Sequence, residues 1–274
     1  AELNVPIHAT IRIGWLGHWG DRLESRSDTV SPINPRRRLV MKPYQTIPID
    51  DCGEPLVPIP TDTFIWLTPH PYAMLGAPYG ERSPFFVRQG VLNRLHRAAD
   101  YLAIARPGWR ILIFDAYRPI PVQQFMVDYS VQQLLDERQL QRDRLTPSEQ
   151  QRILEEVYQF WALPSSDPKT PPPHSTGAAV DLTLMDDTGT EVEMGSPIDE
   201  MSPRSHPDYF VKNSDAASTR YQAHRQILSQ SMRKAGFCQH PNEWWHFSWG
   251  DQSWAWQQRE QGIDTTAIAQ YGGQ

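Results

Sequence analysis

Apolar residues recur at helical spacing between positions 86 and 105. Val91, Leu92, Leu95, Ala98, Ala99 and Leu102 share one face, the stripe an amphipathic helix turns toward a core. Pro107-Gly108 stops it. Trp109–Phe114 is a short apolar run and predicts a buried strand, ending in Asp115-Ala116-Tyr117-Arg118-Pro119. Helical spacing resumes over Val122–Leu135. It returns after Thr146-Pro147-Ser148-Glu149, which supplies a Thr cap, a Pro at the first helical position and a Glu three after the cap. Ile153, Val157, Phe160 and Trp161 form its apolar stripe. Ala178, Val180, Leu182 and Leu184 alternate with Ala179, Asp181 and Thr183, so a strand with one apolar face is expected, with Asp181 and Thr183 on the other. Phe64–Leu67 predicts a short strand, Glu191–Met194 a strand pairing back as a hairpin, and Trp245–Trp249 alternates like a strand. Residues 216–235 predict a helix with Tyr221, Ile227, Leu228 and Met232 inward, closed by Gly236.

Between these segments lie breaker-rich stretches. Residues 43–60 hold five prolines and read as extended chain and turns. Residues 69–80 read as a loop carrying His70 and Tyr72, with no role expected for His70. Pro171-Pro172-Pro173 delivers the chain stiffly to His174. Residues 195–212 are loop-like and hold Asp199, Arg204 and His206.

Composition narrows the class. The chain has 274 residues, 39% hydrophobic and 21% charged, with net charge −6. That describes a folded protein and disfavours a duplex-binding surface, which needs a basic balance. No apolar run approaches the roughly 20 residues of a membrane span; Ala1-Glu2-Leu3-Asn4 shows no signal-peptide pattern, with a cleaved one left open because the chain does not begin with Met. Residues 1–40 carry a net of +2, leaving −8 for the rest. They are expected to be an N-terminal extension, with Arg36-Arg37-Arg38 a solvated tether, ahead of one domain over 41–274. Cys52 and Cys238 are expected to be buried thiols rather than a bridge.

The chemistry concentrates at two places. One is His174-Ser175-Thr176-Gly177-Ala178-Ala179-Val180-Asp181; the other is Glu243-Trp244-Trp245-His246. Two imidazoles and a carboxylate suit a catalytic zinc, which takes three protein ligands and leaves a position for water. A spare carboxylate, Glu243, then stands where a general base is needed. Gly177 lets the backbone turn between the first two ligands. Glu243 and His246, three apart, would face opposite ways on a regular strand. Glu243 is therefore expected in the turn that Pro241-Asn242 opens, or beside a bulge. Arg118, at a Pro-stiffened corner, reads equally as a structural partner of Asp115. His224 and His240 are expected to be bystanders.

The combination His-x6-Asp with Glu-Trp-Trp-His resembles the zinc D-alanyl-D-alanine dipeptidases of the vancomycin-resistance type. Asp115–Pro119, Met194–Asp199 and Arg204-Ser205-His206 support it in the same order, over roughly residues 62–250. The resemblance implies a single α+β domain whose small, mainly antiparallel sheet carries the metal, flanked by helices. It implies one zinc ion held by His174, Asp181 and His246, with Glu243 as catalytic base and acid and Arg118 stabilising the negative intermediate. Asp199 would face the substrate ammonium, with Tyr72 lining the same pocket, and the partner is a small D,D-dipeptide. The family usually has Ser two before the first zinc His, where this chain has Pro172, so the dipeptide preference is open. Two alternatives are a D,D- or L,D-carboxypeptidase on longer muropeptides and a non-catalytic zinc module that binds a cell-wall peptide. A cytoplasmic location is expected, with a periplasmic or exported one the alternative; oligomeric state is open.

Overall fold

A computed structural model describes residues 42–274. The expected extension over 1–40, with its three consecutive arginines, lies outside the described residues. In chain order the elements are β1 (Leu56–Pro58), β2 (Ile65–Trp66), α1 (Pro71–Met74), β3 (Phe86–Arg88), α2 (Gln89–Ala105), β4 (Arg110–Asp115), α3 (Ile120–Glu137), α4 (Pro147–Val157), β5 (Ala179–Met185), α5 (Ala216–Lys234), β6 (Cys238–Gln239), β7 (His246–Ser248) and α6 (Gln252–Glu260).

The main sheet runs β2-β4-β5-β7-β6. β2 pairs parallel with β4; every other neighbour is antiparallel. β5, the middle strand, is buried at all seven positions. The alternation therefore marked only one of two covered faces: Asp181 and Thr183 are buried as well, and Asp181 lines a cavity. β1 and β3 form a separate antiparallel pair.

Periodicity located α2, α3, α4 and α5, and not α1 or α6. α4 opens with the expected reciprocal cap, Thr146 Oγ1 accepting from Glu149 N at 3.3 Å and Glu149 Oε2 accepting from Thr146 N at 2.8 Å. α2 buries Val91, Leu95, Ala98 and Leu102 and packs against α5. Its start falls later than the expected 86, because pairing with β1 draws residues 86–88 into β3. Only the bridge Met185↔Glu191 forms where a hairpin was expected. α1 falls inside the expected loop, capped by His70.

The chain's two described ends close on each other. A 3-10 turn at Pro43–Thr46 packs on α6, and Gln252 Nε2 donates to Ile47 O at 2.7 Å. Asp50 N donates to Ala269 O at 2.9 Å and Cys52 N to Gln270 O at 3.0 Å. Both cysteines are free; Cys238 is buried but Cys52 is exposed, a correction to the buried pair expected.

Candidate active site

Register builds the site. Asp181 on β5 lies directly opposite His246 on β7, and on its other side opposite Asp115 at the end of β4. Three neighbouring strands thus set Asp115, Asp181 and His246 side by side. His174 comes from a 3-10 turn, Pro173–Thr176, entered through Pro172 and left through Gly177 at φ +71°. A Cβ on Gly177 would collide with the Leu56 side chain, so close approach requires glycine as well as the left-handed turn. Buried Arg88 pins the turn, donating from Nε to Thr176 O at 2.8 Å and from its backbone N–H to Gly177 O at 2.9 Å.

The three ligand candidates converge. His174 Nε2 stands 3.1 Å from Asp181 Oδ2 and 3.2 Å from His246 Nδ1, which is 2.9 Å from Asp181 Oδ1. All three side chains are buried, and one ligand atom from each lies within 4.8 Å of the others. His174 Nδ1 donates to Ala116 O at 2.7 Å, which leaves a lone pair on Nε2 in the neutral ring. That lone pair faces a carboxylate oxygen, so two acceptors oppose each other in a buried space. A cation between them relieves the clash, and a His-Asp-His donor set suits zinc. Burial would raise the Asp181 carboxyl, but His174 and His246 outweigh it and hold it well below its ordinary range. Burial lowers the His246 imidazole, opposed by Asp181, which favours the neutral, metal-binding form.

Glu243 sits in the turn between β6 and β7, its N–H donating to His240 O at 3.3 Å. This resolves its facing problem by the turn rather than by a bulge. Glu243 Oε2 lies 3.8 Å from His246 Nδ1. Burial, then Asp181, push its carboxyl well above the usual range, the direction a proton-accepting base needs. His240 is no bystander: its Nδ1 lies 3.6 Å from Glu243 Oε1, and it lines the same cavity as His174, Asp181, Asp199 and Glu243. His224 stays remote, bonded to Glu193 O at 2.8 Å.

Asp115 is a fully buried hub. It accepts from Arg118 Nε at 2.9 Å, Tyr79 OH at 3.0 Å and His70 Nε2 at 3.2 Å. His70 therefore has a structural role that its place in a loop did not suggest. Arg118 is at once the partner of Asp115 and a wall of the cavity. It donates from Nη1 to Gln123 Oε1 at 2.9 Å and from Nη2 to Asp181 Oδ2 at 3.2 Å.

Asp199 lines the cavity with φ +65°, a left-handed conformation that Asp tolerates better than most residues. Burial, then Asp181, push its carboxyl up to about 7, while a hydrogen bond from Tyr72 pulls it down. Tyr72 is buried and reaches the cavity through Asp199 rather than lining it. The loop carrying Asp199 hangs on Arg225, a buried residue of α5. Arg225 donates from Nε to Met194 O at 2.7 Å, from Nη1 to His206 O at 2.8 Å, and from Nη2 to Ser196 Oγ at 3.0 Å. Pro172 is buried, and Pro173 rather than Pro172 borders the cavity.

Lys42 and Tyr44, which were not among the expected site residues, also line the cavity. Tyr44 comes from the proline-rich segment read as extended chain and turns, and Lys42 immediately precedes that segment.

The chain is similar to several known proteins. A D-alanyl-D-alanine dipeptidase of Synechocystis sp. is 52% identical over 238 residues, covering 85% of this chain and 96% of that protein. One of Enterococcus faecalis is 32% identical over 143 residues, covering 51% and 62%. Among solved structures, VanYB in complex with D-Alanine-D-Alanine is 18% identical with a TM-score of 0.38, covering 65% of this chain and 78% of that one. The family model described as D-ala-D-ala dipeptidase matches residues 66–264, and the chain belongs to that family.

Proposed function

We propose that the protein hydrolyses D-alanyl-D-alanine or a close D,D-dipeptide, with one zinc ion held by His174, Asp181 and His246. The convergence of those three buried donors, with Glu243 beside them, carries the reading. A zinc ion there supplies Lewis-acid chemistry, acidifying water toward a pKa of about 7 and polarising a carbonyl.

The chain's own residues do the rest. Glu243 takes a proton from the attacking water and passes it to the departing amine. Its raised proton affinity suits both halves of that exchange. Arg118 steadies negative charge developing beside Asp181. One N–H of its Nη1 remains after the bond to Gln123, so donor capacity is left for an oxyanion. Ala116 O, through His174 Nδ1, fixes the ring that must present Nε2. Asp199, oriented by Tyr72, receives the substrate ammonium. A partly buried carboxylate reserved for a free amino group favours a dipeptidase over a carboxypeptidase of N-blocked chains, because a blocked amine offers it no charge.

The enzyme works in the cytoplasm on this reading, which is supported by its two free cysteines, since they fit a reducing compartment. Among the described residues no helix is long and apolar enough to cross a membrane.

The test is release of D-alanine from D-alanyl-D-alanine by zinc-loaded protein, beside Glu243→Ala at matched zinc content. Turnover by the parent, lost in the variant with zinc retained, is expected. Zinc-loaded parent that spares the dipeptide but trims longer muropeptides would overturn the reading.

A further inference from the structure

We propose that Lys42 receives the C-terminal carboxylate of the substrate and is a specificity-determining residue of this site. The inference rests on the dipeptidase reading above. It starts from the charges that a D,D-dipeptide brings, an ammonium at one end and a carboxylate at the other. Three carboxylates line the cavity, Asp181, Asp199 and Glu243. An ammonium has a partner among them. A carboxylate entering the same space needs a cation, or it stays desolvated among like charges.

Among the described residues, two side chains of fixed positive charge line the cavity, Arg118 and Lys42. Arg118 already faces two carboxylates, Asp115 at 2.9 Å and Asp181 at 3.2 Å, and its remaining N–H is the one assigned above to the oxyanion. Lys42 is not. Among the described residues its ammonium makes one hydrogen bond, from Nζ to Trp161 O at 3.4 Å. Burial lowers its proton affinity and Glu243 raises it, so this ammonium has lost water without gaining a close anion.

The chemistry brings the substrate carboxylate to the same side. Glu243 hands its proton to the departing amine. In the leaving D-alanine that amine and the carboxylate are attached to one carbon. The carboxylate must therefore come near Glu243, a like charge, and the uncommitted cation lining the same cavity as Glu243 is Lys42. Lys42 thus offsets a repulsion that productive binding would otherwise create.

Lys42 is also held for the task. The 3-10 turn that follows it packs on α6, its backbone N donates to Gln45 Oε1 at 2.9 Å, and the downstream residues pair with Ala269 and Gln270. The family match starts at residue 66, so this wall is supplied from outside the matched segment.

The experiment compares zinc-loaded parent, Lys42→Met and Lys42→Arg on D-alanyl-D-alanine and on D-alanyl-D-alaninamide, whose carboxylate is neutralised. The parent should prefer the dipeptide by about 10- to 100-fold in kcat/KM, the range of a charged hydrogen bond. Lys42→Met should erase that preference, chiefly by raising KM for the dipeptide, with the amide little changed. Lys42→Arg should restore much of it. Equal losses on both substrates, or a parent indifferent to the amide, overturn the assignment. A parent that cleaves neither overturns the dipeptidase reading by itself. Calorimetric titration of both compounds into zinc-loaded Glu243→Gln, with and without Lys42→Met, then decides Lys42. Tighter dipeptide binding that vanishes with Lys42→Met sustains it, and no preference overturns it.

Discussion

Tyr72 donates its hydroxyl to Asp199 Oδ2 at 2.7 Å across 127 residues of sequence. The contact joins a short helix after β2 to a loop held by α5, and it aims a carboxylate that has few other restraints. Tyr72→Phe deletes only that hydroxyl. Losing a hydrogen bond to a charged group is worth about 1.5–3 kcal/mol, so KM for a D,D-dipeptide should rise roughly tenfold or more, with kcat less affected. Steady-state kinetics checks this; an unchanged KM would remove Tyr72 from substrate positioning.

Asp199 itself is expected to destabilise the fold it serves. Its carboxyl is raised from 3.8 to about 7, so the folded chain holds a proton that the unfolded chain releases. Its penalty is absent at low pH, grows as pH rises between these values, and is complete above about 7. Asn cannot ionise and also tolerates left-handed φ. Asp199→Asn should therefore be more stable than the parent in the metal-free protein. The gap should be widest above pH 7 and close toward pH 4. At about 1.4 kcal/mol per tenfold in proton affinity, its ceiling is roughly 4 kcal/mol. Chemical unfolding across pH measures it, and a pH-independent gap would show that ionisation of Asp199 is not its cause.

Arg118 should not accept Lys. A planar guanidinium serves Asp115, Gln123 and Asp181 at once, and an ammonium cannot span that fork. Arg118→Lys should lower kcat by about 100-fold or more at unchanged zinc content, the scale of losing an oxyanion donor. Metal analysis beside kinetics distinguishes this from loss of zinc.

Legibility followed sequence distance. The cap at Thr146, the stripe of α2 and the turn at Gly177 are local, and each stood out in the pattern. The His174, Asp181, Glu243 and His246 set was legible because those residue types have few other reasons to cluster among tryptophans. His70 was missed, since its use is a hydrogen bond to Asp115, 45 residues away. Arg225 drew no expectation, because it holds the Asp199 loop through the carbonyls of Met194 and His206 and the Ser196 hydroxyl, contacts that leave no local pattern. Lys42 and Tyr44 hid at the start of a proline-rich run because closure against α6 and the last residues, not periodicity, brings them to the cavity.

Zinc should act as a folding ligand. A metal bound to the native triad but not to the unfolded chain stabilises by about 4 kcal/mol at a thousandfold excess over Kd. Tm of chelator-treated protein should climb with added zinc, and His246→Ala should remain folded without that response. A parent whose Tm ignores zinc would sink the triad as a metal site.

The pairing of Asp181 with His246 has a consequence for how the enzyme matures. The two residues face each other at one register position of the ladder, so backbone pairing, not side-chain search, sets their separation. A slip of one residue would send one of them to the far side of the sheet. No segment of the chain presents the triad by itself, because β7 must first close on β5 from 65 residues away. With zinc held by the proposed triad, metal loading would be a checkpoint on completed folding: a half-assembled sheet would offer a histidine and an aspartate, and only the finished one the third hand.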